Sequence, residues 1–167
     1  NATIYKAEKI ETHGGSLRIY VKSSKKTKVE RSVKLILEEE EKFGIKNYKS
    51  YQEFAKKVYK IRENVRKNIL KLKKNNAKII GYGSPAKATT ALNFFGISDE
   101  IECIVEDNKL KHGKFLPGMN IPITSKEKIK KKPDYAVVLA WNFFEEIKKK
   151  NSSLAHKFIS IKDLEAW

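Results

Sequence analysis

The sequence predicts an α/β chain: a Rossmann-like three-layer domain with a mostly parallel sheet, preceded by a β-hairpin remnant and a long helix. Three observations predict it. Residues 77–97, AKIIGYGSPAKATTALNFFGI, read as a short buried strand, a glycine turn and a helix. Apolar runs at 101–105 and 134–140 repeat the strand signal, separated by stretches long enough for crossover connections. Upstream, apolar residues at three- and four-residue steps from Phe54 to Leu72 mark a long amphipathic helix.

Residues 2–10 and 16–21 alternate, with Leu17, Ile19 and Val21 on one face, and His13-Gly14-Gly15 turns the chain between them. A lone two-stranded hairpin is marginal in water. This one is therefore expected to close a sheet whose other strands lie upstream, so that the chain is a cut from a longer one. A polar break, SSKKTK, follows. Residues 1–24 are accordingly assigned to the end of a preceding domain and residues 25–167 to the Rossmann-like domain, with 25–76 as its helical linker. In that linker Val33, Ile36 and Leu37 share a helix face that ends at Gly44. Ser50-Tyr51-Gln52-Glu53 reads as a capping box opening the long helix, and Asn75-Asn76 stops it.

At the central turn, Ile79 and Ile80 are β-branched and read as strand. Gly81 and Gly83 permit a tight bend, Ser84 is a natural N-cap and Pro85 suits the first helical position. Ala86 stands where the third small residue of G-x-G-x-x-G/A would let helix and strand approach. The amides and positive dipole end of the helix make an anion site, to which Lys87 adds charge. The second strand closes at Glu106, about 20 residues past the turn, where an acid would meet a ribose hydroxyl. A Gly/Pro-rich loop follows, with an extended end at 121–123 and a short helix capped by Ser125. DYAVVLA is the third strand, Trp141-Asn142 sits at its carboxyl end, FFEEIKKK is the next helix, and 157–161 is a fourth strand.

Composition narrows the function classes. A hydrophobic fraction of 40% over 167 residues supports a packed core. No apolar run approaches the roughly 20 residues of a membrane span, and a cytoplasmic location is expected. The single cysteine, Cys103, allows no intrachain disulfide and reads as a buried small hydrophobe. The histidines lack the partners of a metal site, so none is expected. The net charge of +16 invites a nucleic-acid reading. The lysines, however, are dispersed over nearly every helix, and no basic strand interleaved with aromatics offers a stacking platform. A solvated lysine-rich surface, attractive to anionic ligands such as nucleotide diphosphates, is the favoured reading.

Ligands of open α/β sheets bind at the carboxyl ends of strands. Three groups converge there by this reading: Gly81, Tyr82, Gly83, Ser84 and Lys87 of the turn; Glu106 and Asn108; and Trp141 with Asn142. His13, beside two flexible glycines, is a candidate acid or base.

Four stretches, THGGSLRIYV, GYGSPAKATTALNFFGI, EDNKLKHGKFLPGMNIPI and DYAVVLAWNFFEEI, together resemble the C-terminal region of bacterial sugar C-methyltransferases. The resemblance implies S-adenosylmethionine as cofactor, bound by a methyltransferase domain upstream in the same protein. It also implies a nucleotide-diphosphate sugar as substrate, lying between that domain and this one, and catalytic groups upstream of Asn1. The glycine turn would then serve substrate rather than NAD. Two other readings fit the residues: an NAD- or CoA-binding Rossmann module of an oxidoreductase or acyl-transfer enzyme, and a non-catalytic docking domain.

Overall fold

The computed structural model describes residues 2–24 and 26–166; the side chain of His13 lies outside the described residues. The chain divides into two compact units, Asn1–Lys57 and Val58–Trp167.

In the first unit, β1 (Thr3–Ile10) and β2 (Ser16–Lys22) pair antiparallel, with a bulge between Ile4 and Lys6. Helix α1 (Arg31–Phe43) joins β1 through its leading turn. The Glu30 N–H donates to the Tyr5 carbonyl at 2.8 Å, and Ser32 Oγ accepts the Ala7 N–H at 3.3 Å. It ends where expected, at Gly44, whose φ of 82° is left-handed and costs an L-residue dearly. Helix α2 (Tyr48–Lys74) starts earlier than the sequence suggests. Asn47 Oδ1 accepts the Lys49 N–H at 3.0 Å, so the helix is under way before the expected capping box at Ser50.

The second unit is a Rossmann-like three-layer domain. Its five strands are β3 (Ile79–Tyr82), β4 (Ile104–Val105), β5 (Ile123–Thr124), β6 (Tyr135–Val138) and β7 (Lys157–Ser160). All pair parallel, in the order β5-β4-β3-β6-β7. The two-residue period of the strands sends alternate side chains into two cores. Ile79, Ile104 and Val137 face α3 (Ala86–Phe95) and the second half of α2, where Val65, Ile69, Ala88 and Leu92 are buried. Ile80, Tyr82, Val105, Ala136 and Val138 face the other way, against α4 (Phe144–Lys150) with Phe144 and Ile147. Each fully buried Leu or Ile contributes about 2 kcal/mol by removal from water.

Local chemistry shifts some boundaries. Pro85, not Ser84, occupies the N-cap position of α3, in extended conformation. The Ser84 hydroxyl is drawn instead to a carboxylate across the turn. The expected short helix at Ser125 is a single 3-10 turn, Lys126–Lys128, and a 3-10 turn, Trp141–Phe143, leads into α4.

Candidate functional site

The strand order reverses at β3. The chain leaves β3 through α3, lays β4 and β5 on one side, then crosses back to place β6 and β7 on the other. A reversal of this kind leaves a crevice outside the carboxyl ends of the two central strands, because the crossovers diverge to opposite faces. A cavity of about 360 Å³ opens there, lined by the Tyr82–Pro85 bend, Glu106, Asp107, Lys111, Ala140 and one side of α4 (Phe143, Glu146, Ile147, Lys150 and Asn151).

The bend is set by backbone and by close packing. Gly81 sits in the strand, and a Cβ there would come 3.1 Å from Leu139 Cδ1 and closer still to Ile104 Cδ1. The Gly83 N–H donates to the Val105 carbonyl at 2.8 Å while its φ of 85° reverses the chain. Ser84 then presents both its N–H and its hydroxyl to Glu106 Oε2, at 2.9 and 2.5 Å. Glu106 Oε1 accepts the Asn108 N–H at 3.0 Å. Lys111 Nζ donates to the Ser84 carbonyl at 2.9 Å and lies 3.4 Å from Glu106 Oε2. The head of α3 thus already faces a carboxylate of its own chain, which suits its dipole.

Burial alone would raise the Glu106 pKa, but the hydrogen bonds from Ser84 and Asn108 and the Lys111 charge outweigh it and hold the carboxyl down at about 2. Because the folded pKa is depressed, the stabilisation is complete above the unfolded value of 4.5 and is lost as pH falls from there towards 2. Acid titration of stability should therefore show wild type converging on Glu106→Gln over that window, by about 2 kcal/mol after allowance for solvent screening. A constant gap down to pH 2 would contradict the depressed value.

Tyr82 is 3% exposed, and its hydroxyl donates to Asp107 Oδ1 at 2.9 Å. Burial first, then the Asp107 carboxylate, push its pKa well above the ordinary phenol value, so it stays protonated. His112 Nε2 lies 2.7 Å from the Glu106 carbonyl oxygen, which requires a proton on Nε2.

Of the residues anticipated from sequence, Tyr82, Gly83, Ser84 and Glu106 meet at the cavity. Gly81 lies behind it in the strand. Asn108 does not line it, but its side chain caps the 3-10 turn Lys109–Lys111, which carries Lys111. Lys87 Nζ sits 4.2 Å above the Trp141 ring, and both belong to the α2–α3 side, where Trp141 neighbours Ile61, Ala91 and Phe95. Asn142 is exposed and outside the cavity. Sequence reasoning missed Lys111, Glu146, Lys150 and Asn151, and placed Asp107 only within the Glu106–Asn108 group without singling it out. Asp107 had a signal, as the residue after a strand-ending acid, and Lys111 stood in a loop already marked by Gly and Pro.

Other chemistry is limited. Burial, with some help from Glu102, pushes the Cys103 thiol up to about 11, which keeps it un-ionised. Among the described residues no cluster of His, Cys, Asp and Glu could hold a metal, and no helix is long and apolar enough to cross a membrane.

Comparison with known proteins agrees with this geometry. Over 140 residues, covering 82% of this chain, it is 34% identical to C-methyltransferase NovU of Streptomyces niveus. The aligned part is 33% of NovU, so the chain spans about a third of the length of that relative. Residues 11–160, which contain the hairpin turn, the glycine bend and every strand of the parallel sheet, match the C-methyltransferase C-terminal domain. A match of that extent, on a sheet whose reversal point carries the cavity, means that the chain belongs to the C-methyltransferase C-terminal domain family.

Proposed function

We propose that the chain is the substrate-side part of an S-adenosylmethionine-dependent C-methyltransferase that acts on a nucleotide-linked deoxysugar. The observation that carries this reading is the cavity at the reversal of strand order, in a chain of this family. Its lining suits a ligand rich in hydroxyls. Asp107 and Glu146 offer acceptors, and Lys111 and Lys150 offer donors. Tyr82 and Asn108 act indirectly, by fixing Asp107 and the Glu106–Lys111 pair.

C-methylation beside a sugar ketone needs a base to remove a carbon-bound proton before the carbon attacks the methyl group. Two residues at the bend are unsuited to that role: Glu106, held down at about 2, is too weak a base, and Tyr82 is held protonated. In this reading they bind and orient, and the base comes from another group of the whole protein. The same holds for the methyl donor. S-adenosylmethionine at this turn would need Glu106 for its ribose and free turn amides for its polar end. Both Glu106 oxygens are engaged, the Ser84 amide is taken, and Pro85 has no N–H. Those contacts favour placing the methyl donor elsewhere in the whole protein. The dinucleotide reading meets the same obstacle, since Glu106 stands where a pyrophosphate would sit.

Calorimetric titration of the chain with thymidine diphosphate, uridine diphosphate, NAD and S-adenosylmethionine tests the reading. One of the nucleoside diphosphates should bind with Kd of about 10 μM to 1 mM, as for a site covering one side of its ligand. Tight binding of NAD or S-adenosylmethionine, with neither diphosphate bound, would reject it.

A further inference from the structure

The cavity accounts poorly for one part of such a ligand. Its side chains number three carboxylates, Glu106, Asp107 and Glu146, against two lysines, Lys111 and Lys150. The bend that commonly cradles phosphates already holds a carboxylate. A diphosphate bearing two or more negative charges would meet net repulsion there.

The opposite balance lies next door. A second groove, of about 440 Å³, is lined by Lys126, Lys130, Lys132 and Lys150, with Asn151 and Ser153 as polar neighbours. One carboxylate, Glu127, also borders it; its own backbone N–H and the Ser125 hydroxyl hold it ionised. Among the described residues, Lys126, Lys130 and Lys132 form no salt bridge. Lys150 and Asn151 line both hollows. Asn151 is 4% exposed, and its Nδ2 donates to the Ile147 carbonyl at 3.0 Å. Lys150 reaches Asp107 at 3.8 Å. The end of α4 therefore forms a polar sill between an acid-lined cavity and a lysine-lined groove.

We propose that this lysine groove is the diphosphate subsite of the nucleotide-linked substrate, which crosses the Lys150–Asn151 sill from the neighbouring cavity. The proposal rests on the substrate reading above. It assigns hydroxyl recognition to Asp107 and Glu146 and charge recognition to Lys126, Lys130, Lys132 and Lys150. A second lysine-lined hollow, at Lys67, Lys71, Lys73 and Lys74 near the end of α2, has no such connection and serves as the control.

The test titrates the chain with thymidine, thymidine diphosphate and inorganic pyrophosphate, in wild type, K130E/K132E and K71E/K73E. Both double reversals change the net charge equally; Lys71, Lys130 and Lys132 are exposed and Lys73 is partly so. Wild type should bind thymidine diphosphate at least about tenfold more tightly than thymidine, with pyrophosphate competing. K130E/K132E should abolish that advantage and leave thymidine binding unchanged, and K71E/K73E should retain it. Equal losses in the two variants would overturn the subsite, since charge would then act only at a distance. Thymidine diphosphate binding no tighter than thymidine would overturn the subsite while leaving the cavity reading intact. Binding of neither ligand, nor of uridine or uridine diphosphate in the same titration, would overturn both. Saturable capture of a single-stranded oligonucleotide by the same lysines, uncontested by thymidine diphosphate, would also overturn it.

Discussion

Replacing Glu106 with alanine is expected to destabilise the second unit by about 3 kcal/mol, a fall in Tm of about 12 °C for a domain of this size. The size follows from what the carboxylate accepts. The Ser84 N–H and hydroxyl and the Asn108 N–H all point at it, and Ser84 is 8% exposed, so water cannot readily take its place. Lys111 would lose its counter-charge while its bond to the Ser84 carbonyl remained. Glu106→Gln keeps one acceptor for the Ser84 amide and should cost less, about 2 kcal/mol. Ser84→Ala removes a single donor and should cost about 1 kcal/mol. Urea or thermal unfolding of the three variants checks the series. A loss below about 1 kcal/mol for Glu106→Ala would mean that the bend satisfies its own donors without the carboxylate. Any bound nucleotide must then be measured against this structural role, since weaker ligand binding in the alanine variant would partly report a loosened bend.

The dual nature of Glu106 shows where sequence reading stops. An acid closing the second strand is legible, because strand length and the distance from the glycine turn fix its place. Whether it meets a foreign hydroxyl or its own chain is not, since both uses call for the same residue type at the same offset. The strands and the bend were legible for local reasons: β-branched runs, two glycines, and an alanine that lets α3 approach. The partnership of Lys111 with Ser84 spans 27 residues and depends on the loop folding back. That return is pinned by the Gly113 N–H on the Ile123 carbonyl and the Leu116 N–H on the Ile121 carbonyl. No local pattern announces those bonds. Trp141 illustrates a different limit. Its position at the end of β6 was read correctly, but the 3-10 turn Trp141–Phe143 turns Phe143 to the cavity and leaves Trp141 on the α2–α3 side beneath Lys87. A change of helical phase by one residue decides which side chain meets a ligand, and composition carries no trace of it. The start of α2 went astray for a similar reason, since Asn47 and Ser50 are both good caps and only the fold selects between them.

Replacement of Gly83 by valine should be as damaging as loss of Glu106, through backbone strain instead of lost hydrogen bonds. With φ at 85°, an L-residue here loses about 1–2 kcal/mol, and a β-branched one more. A Cβ would also approach Ala140 Cβ to 3.0 Å and the Ala140 nitrogen to 3.6 Å. The strand ends cannot spread to relieve this, because the Gly83 N–H is held by Val105 on one side and the Leu139 N–H by Tyr82 on the other. The sum is about 4 kcal/mol for Gly83→Val and about 2 for Gly83→Ala. Adding Ala140→Gly to Gly83→Ala separates the two causes. The second change removes the methyl that the new Cβ meets, so it should recover only the steric part and leave the φ penalty. Gly83→Asn, which tolerates the left-handed region best, should show the smallest backbone term of the three. Chemical denaturation of the set measures these differences. If Gly83→Ala/Ala140→Gly regains full stability, contact alone fixes the glycine. If Gly83→Val unfolds at the same denaturant concentration as wild type, the bend adapts freely and cannot hold Ser84 and Glu106 in the fixed arrangement on which the cavity depends.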